Sequence, residues 1–195
     1  EMSRGLGDVY KRQEVFFSAV ESDGVYSFVF ADKGLAGATY EITAAEDIIT
    51  PDGTLHYAKG MVVDTVTTDE SGNAASKPLY LGKYTVRETK APYGMVLNDE
   101  AKSVELTYAG ETVKLTETSA EFYNERQKAE VSLSKILGKD ETFGIGNNGE
   151  ILSVQFGLYA AENLFAADGS VIPKDGLLEV ANCNENGNIA FKTDI

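Results

Sequence analysis

An all-β fold, arranged as two antiparallel β-sandwich modules in tandem with the second one incomplete, is what this sequence predicts. Three observations carry the prediction. Short runs rich in Val, Thr, Tyr and Phe alternate with turn signals at SDG 22–24, PDG 51–53, ESGN 70–73, PYG 92–94 and YAG 108–110, the spacing expected of a sandwich or barrel. The chain also repeats itself. YEITAAEDIITPDGT at 40–54 matches FGLYAAENLFAADGS at 156–170, with AAE beginning at 44 and again 116 residues on at 160. DESGNA at 69–74 matches NENGNI at 184–189, an offset of 115, so the register holds between the two points. Helical signal is weak, at most one short turn near Ala44–Asp47.

Taken along the chain, residues 1–13 (EMSRGLGDVYKRQ) lack the apolar stretch of a signal peptide. Asp8–Gln13 resembles the translation of a transposon end used in sequencing libraries, so 1–13 is expected to be an artefactual tail outside the fold. Residues 14–126 form the first module and 127–195 the N-terminal part of the second, with FKTDI ending inside a hairpin. The junction near 125–128 (ERQK) is short and charged, without Gly or Pro, which favours a stiff tandem.

Bulk properties narrow the function. The 195 residues suffice for one large or two small domains, and 43% hydrophobic content excludes wholesale disorder. No window approaches the ~18 apolar residues of a membrane helix. A net charge of −14 repels phosphate backbones, so nucleic acid is not an expected partner. The single Cys183 forms no internal disulfide, and one His with no CxxC leaves no zinc-ligand set. No metal and no cofactor is expected. Cys183 and His56 read as an ordinary strand Cys and a hairpin His rather than a catalytic dyad. Asp69, Glu70 and Asn73 carry oxygen ligands but fit no EF-hand spacing; acids and amides ahead of Gly are what a tight hairpin needs.

Strand parity locates the chemistry, because residues i, i+2 and i+4 share a face. In KYTVRET (83–89), Glu88 shares the apolar side with Tyr84 and Val86. In EFYNE (121–125), Asn124 shares a face with Phe122; in VSLSKIL (131–137), Lys135 aligns with Val131, Leu133 and Leu137. A buried ion must be paired or neutralised. A desolvated Lys becomes a nucleophile, and a protonated Glu can donate to a carbonyl and shuttle a proton. An amine beside an Asn carboxamide can then displace ammonia and leave a Lys–Asn amide, a covalent crossbar between strands.

GLAGATYEI (34–42), YLGKYTVRETKAPYGMVL (80–97) and FYNER (122–126) resemble the Cna B-type, or SpaA prealbumin-like, domain of Gram-positive surface proteins. The resemblance covers about residues 24–195. It implies a small prealbumin-like, Ig-like β-sandwich, many members of which form a Lys–Asn isopeptide bond assisted by a Glu. It assigns Glu88 as the assisting acid and Asn124 as the acceptor of the first copy, and Lys135 as the nucleophile of the second. The first copy departs from the pattern: GVYSFVF (24–30), where the lysine is expected, has none, and Lys33 sits in a turn. No isopeptide bond is therefore expected in this chain.

The favoured function is a structural stalk or spacer of an extracellular, wall-anchored adhesin or pilin-like protein, with neighbouring modules of the parent chain as partners. The alternative is a module binding host protein or glycan, through Tyr residues such as Tyr57, Tyr93 and Tyr108. An enzyme is not expected, since no GxSxG, HExxH or phosphate-cradling loop occurs.

Overall fold

The computed structural model describes residues 6–110 and 117–195. Among these the regular elements are strands, with one 3-10 turn at Glu150–Ser153. The chain opens with β1 (Leu6–Ser22), β2 (Val25–Lys33), β3 (Thr39–Ala44), β4 (Ile48–Ile49) and β5 (Leu55–Tyr57). It continues through β6 (Val62–Thr67), β7 (Asn73–Ala74), β8 (Gly82–Lys90), β9 (Ala101–Leu106) and β10 (Thr118–Asn124). The remainder is β11 (Ser132–Ser134), β12 (Gln155–Tyr159), β13 (Leu164–Phe165), β14 (Val171–Ile172), β15 (Leu177–Asn182) and β16 (Asn188–Ala190).

The internal repeat recurs element by element. Moving β3, β4, β5, β6 and β7 on by 115 or 116 residues lands on β12, β13, β14, β15 and β16. The turns recur as well. Asp69 N–H donates to Asn73 O and Gly72 N–H to Asp69 O, as Asn184 N–H does to Asn188 O and Gly187 N–H to Asn184 O. Asp69 Oδ1 accepts from the N–H groups of Ser71 and Asn73 at 2.8 and 3.0 Å, so this acid holds a turn, the role expected of it.

Two compact units result. Of the described residues, the first comprises residues 6–14 together with Asp32–Gln127; the second comprises Val15–Ala31 and Lys128–Ile195. This division departs from the expected boundaries of 14–126 and 127–195. Residues 1–5 of the expected tail lie outside the described residues, but Leu6–Gln13 are strand, parallel to β10 with Val9 opposite Ala120 and Gln13 opposite Asn124. Val9 and Gln13 are fully buried. An extended segment laid along an open strand satisfies its backbone groups whatever its composition, which a reading by composition misses.

In the first unit β3 lies between β6 and β8, and β9 completes the order β6-β3-β8-β9, all antiparallel. Tyr40, Ile42 and Ala44 of β3, Tyr84 and Val86 of β8, Val104 and Leu106 of β9, and Ala120 and Phe122 of β10 meet in one core. Each large apolar side chain so buried contributes about 1.5–3 kcal/mol.

The second unit uses the Val15–Ala31 hairpin. Asp23 (φ 53°) and Gly24 (φ 80°) supply the two positive φ angles a two-residue turn of this hand requires. Phe16 and Phe28, 4.9 Å apart edge to face, pack on Ala160, Ile172 and Leu178. β2 runs parallel to β15, and β15 pairs with β12. β11 pairs with β16 in a separate two-stranded ribbon.

Candidate functional site

The site lies in the first unit, where three strands present alternate residues to one core. On β8, Tyr84, Val86 and Glu88 are 0, 0 and 1% exposed; on β10, Ala120, Phe122 and Asn124 are 6, 1 and 0% exposed. Each acid or amide thus closes an apolar row, as the alternation predicts. On β3, Tyr40 stands opposite Glu88, and its ring lies 4.7 Å from that of Phe122.

The Glu88 carboxylate is held from three directions. Its Oε2 accepts from the Asn98 N–H at 2.8 Å and from Asn124 Nδ2 at 2.7 Å, and its Oε1 accepts from the Tyr40 hydroxyl at 3.4 Å. Asn124 Nδ2 also donates to Val96 O at 2.7 Å, while Asn124 Oδ1 has no hydrogen-bond partner. Burial, reinforced by the neighbouring Glu88 charge, pushes the Tyr40 hydroxyl above its ordinary value, so it stays a donor at neutral pH.

The segment after β8 explains the APYG motif. Gly94 adopts φ 79°, which lets Pro92 O accept from the Met95 N–H and close the turn. From there Val96 N–H donates to Glu125 O and Gln127 N–H donates to Gly94 O. Asn98 Nδ2 donates to Tyr123 O at 2.8 Å. The loop therefore straps the end of β10 and delivers the Val96 carbonyl and the Asn98 N–H to the Glu88–Asn124 pair.

β1 supplies the strand beside Asn124. Gln13 is directly opposite, wholly buried, with neither side-chain polar atom hydrogen-bonded. The strand pairing with β10 is thus Leu6–Gln13, not the 24–30 stretch in which the lysine was expected. The one lysine in that paired stretch, Lys11, holds the register position opposite Phe122.

The other candidates lie elsewhere. Lys135 is exposed rather than inward, a correction to the parity reading: β11 is three residues long and all three are exposed. Alternation predicts burial where a second layer covers the strand, and β11 pairs with β16 alone. Lys33 is exposed at the end of β2. Cys183 is buried with Ile189 and Phe191 in the second unit. His56, in the first, stacks on Tyr80 at 3.7 Å with Nε2 3.0 Å from Thr50 Oγ1. Tyr93 and Tyr108 are exposed, but Tyr57 is half-buried against the core and meets Tyr80 edge to face. An open cleft of about 370 Å³ beside the strap is lined by Val96, Leu97, Asn98, Asp99, Tyr123 and Glu125, a set without Ser, Thr, Cys, Lys or His.

Chemically, the arrangement sets a carboxylate oxygen on the amide nitrogen that would leave as ammonia if an amine attacked Asn124 Cγ. Glu88 and Val96 also fix that amide in one orientation, so the pair is a clamp between β8 and β10 whether or not an amine arrives.

The chain is similar in part to several known proteins. A family model described as the SpaA prealbumin-like fold domain matches residues 31–121. Over 58 residues the chain is 38% identical to the trypsin-resistant surface T6 protein of Streptococcus pyogenes serotype M6, covering 30% of this chain and 11% of that protein. Among solved structures, the Bacillus anthracis TIE protein aligns with 95% of this chain at 22% identity and a TM-score of 0.50, and 27% of its own chain is covered. The full-length major pilin SpaD of Corynebacterium diphtheriae is 21% identical over 66% of this chain and 31% of its own, with a TM-score of 0.42. This chain therefore spans about a tenth of the T6 protein and about a quarter of the TIE chain.

Proposed function

We propose, from the match of residues 31–121 to a SpaA prealbumin-like fold domain model, that the chain is a structural stalk segment of an extracellular surface protein of the pilin or adhesin type. The observation that carries this reading is the buried clamp. Asn124 at the end of β10 is bound to Glu88 of β8 and to the strap carbonyl of Val96, at the end of a buried apolar core. Such a clamp resists peeling of the terminal strand, which is what a module under tension needs. The likeness to the T6 surface protein supports the extracellular setting. Neighbouring modules of the same parent are the partners this reading assigns.

The test is mechanical. Pulling the first unit from its ends should give a rupture force that falls when Glu88→Ala removes the clamp. Equal rupture forces for both proteins would sink the stalk reading.

A second reading, amide exchange at the same pair, is favoured by the register of β1. It assigns the amine to Lys11, with Asn124 losing ammonia to form the Lys–Asn amide and Glu88 carrying the proton. Intact mass decides it. A deficit of about 17 Da that disappears in Lys11→Ala and Glu88→Ala supports the crosslink, and the full sequence mass leaves the clamp non-covalent.

A further inference from the structure

Three buried polar atoms of the first unit meet at one register position. Gln13 of β1 and Asn124 of β10 stand directly opposite each other in a parallel pair, and both are 0% exposed. Val9 and Ala120, opposite each other earlier on the same two strands, are buried as well, so this is the inward face of the pair. Asn124 Nδ2 donates to Glu88 Oε2 and to Val96 O, which uses both of its N–H groups. What remains is Asn124 Oδ1, Gln13 Oε1 and Gln13 Nε2, none with a hydrogen-bond partner among the described residues. Orphans of this kind are rare in native interiors, and each calls for a partner.

We propose that a single water molecule is bound between the two carboxamides, donating to Asn124 Oδ1 and to Gln13 Oε1 and accepting from Gln13 Nε2. The inventory matches: two acceptors and a donor are what one water satisfies with about three hydrogen bonds, the usual number for a buried water. Exchanging the oxygen and nitrogen of the Gln13 carboxamide leaves that inventory unchanged. An ammonium ion fits worse, because it has no lone pair to accept from Gln13 Nε2. Gln13 is one methylene longer than Asn124, so the two carboxamides are not level across paired strands about 4.7–4.9 Å apart, and the direct ladder that equal carboxamides form is lost. Polar groups that stand opposite without bonding are where a bridging water belongs. The water carries the clamp one strand further, from β8 and β10 to β1. Neither the stalk reading nor amide exchange is needed for this site.

The experiment uses the full chain, labelled with nitrogen-15 and carbon-13, and reads cross-relaxation between solvent water and the side-chain amide protons of Gln13 and Asn124. The expected result is a cross-peak at both, with the sign of a long-lived bound water. Gln13→Met keeps the length of the side chain and removes both polar atoms, so the Asn124 cross-peak should be lost while the backbone amides of β10 stay protected. Tyr40→Phe should leave both cross-peaks in place, which separates bound water from exchange relayed through the Tyr40 hydroxyl. Absence of the Gln13 cross-peak in the unsubstituted protein would overturn the proposal, as would its loss in Tyr40→Phe. So would a scalar coupling across a direct Gln13–Asn124 hydrogen bond, or an Asn124 cross-peak that survives Gln13→Met.

Discussion

Asn124 Nδ2 stands 2.7 Å from Glu88 Oε2 and 2.7 Å from Val96 O, so one carboxamide joins the last strand of the first unit to both β8 and the strap that follows it. Both residues are at most 1% exposed, so neither side chain can exchange these bonds for water.

Glu88→Ala should therefore destabilise the first unit well beyond an ordinary surface change. It leaves the Asn98 N–H and one Asn124 N–H without an acceptor and opens a void, and an unsatisfied buried donor alone costs about 1–3 kcal/mol. The expected outcome is faster amide exchange in β8 and β10, with β12 and β15 unchanged. Equal acceleration in both units would contradict it.

Tyr40 makes the first unit sensitive to alkali. Burial and the Glu88 charge raise its hydroxyl above the ordinary 10.0, and burial raises Tyr84 in the same direction. A group whose folded value is raised contributes stability that is complete below its unfolded value and is lost as pH climbs toward the folded one. Denaturation midpoints should fall above about pH 10. Tyr40→Phe should cost about 1 kcal/mol at neutral pH, for one long hydrogen bond, and flatten the alkaline limb. An unchanged alkaline limb in Tyr40→Phe would show that Tyr40 is not the titrating group.

These sites were unequally legible in the sequence. Alternation alone placed Glu88 with Tyr84 and Val86, and Asn124 with Phe122, because strands covered by a second layer have one side to hide. The same argument misplaces Lys135, because among the described residues β11 pairs with β16 alone and its three residues are exposed. Tyr57 looked like a surface tyrosine because a three-residue strand is too short to show a period. The segment Leu6–Gln13 reads as a tail because Asp8–Gln13 resembles the translation of a transposon end and nothing local marks its pairing with β10. Lys11 and Gln13 were lost with it, and no local signal would have recovered them: their place depends on a strand more than 100 residues away.

Acid should act at a different place, the β4–β5 hairpin. Asp52 accepts from the Thr50 hydroxyl at 2.5 Å and from the N–H and hydroxyl of Thr54 at 3.1 and 3.0 Å. These bonds, Thr50 first, hold its carboxyl down at about 2 from the ordinary 3.8. Its contribution is present above about pH 3.8 and lost as pH falls through about 2. Carbon-13 detection of the carboxyl should show this low midpoint, and Thr50→Val should move it upward. A midpoint near 3.8 in the unsubstituted protein would contradict the hydrogen-bond assignment.

Two glycines of the GLAG run separate packing from backbone freedom. A Cβ on Gly34 would stand 1.9 Å from the Ser71 carbonyl oxygen and 2.4 Å from its carbon, and both are backbone atoms that cannot swing aside. Gly37 has open space around it but adopts φ 91°. Gly37→Ala should cost about 1 kcal/mol or slightly more, from strain at a positive φ. Gly34→Ala must push the ESGN turn away from the start of β3, and should cost more, on the order of 2–3 kcal/mol as for other overpacked sites. The check is hydrogen exchange at Asp69–Asn73: accelerated in Gly34→Ala and near normal in Gly37→Ala. The reverse order would mean that the turn, and not the glycine, gives way freely.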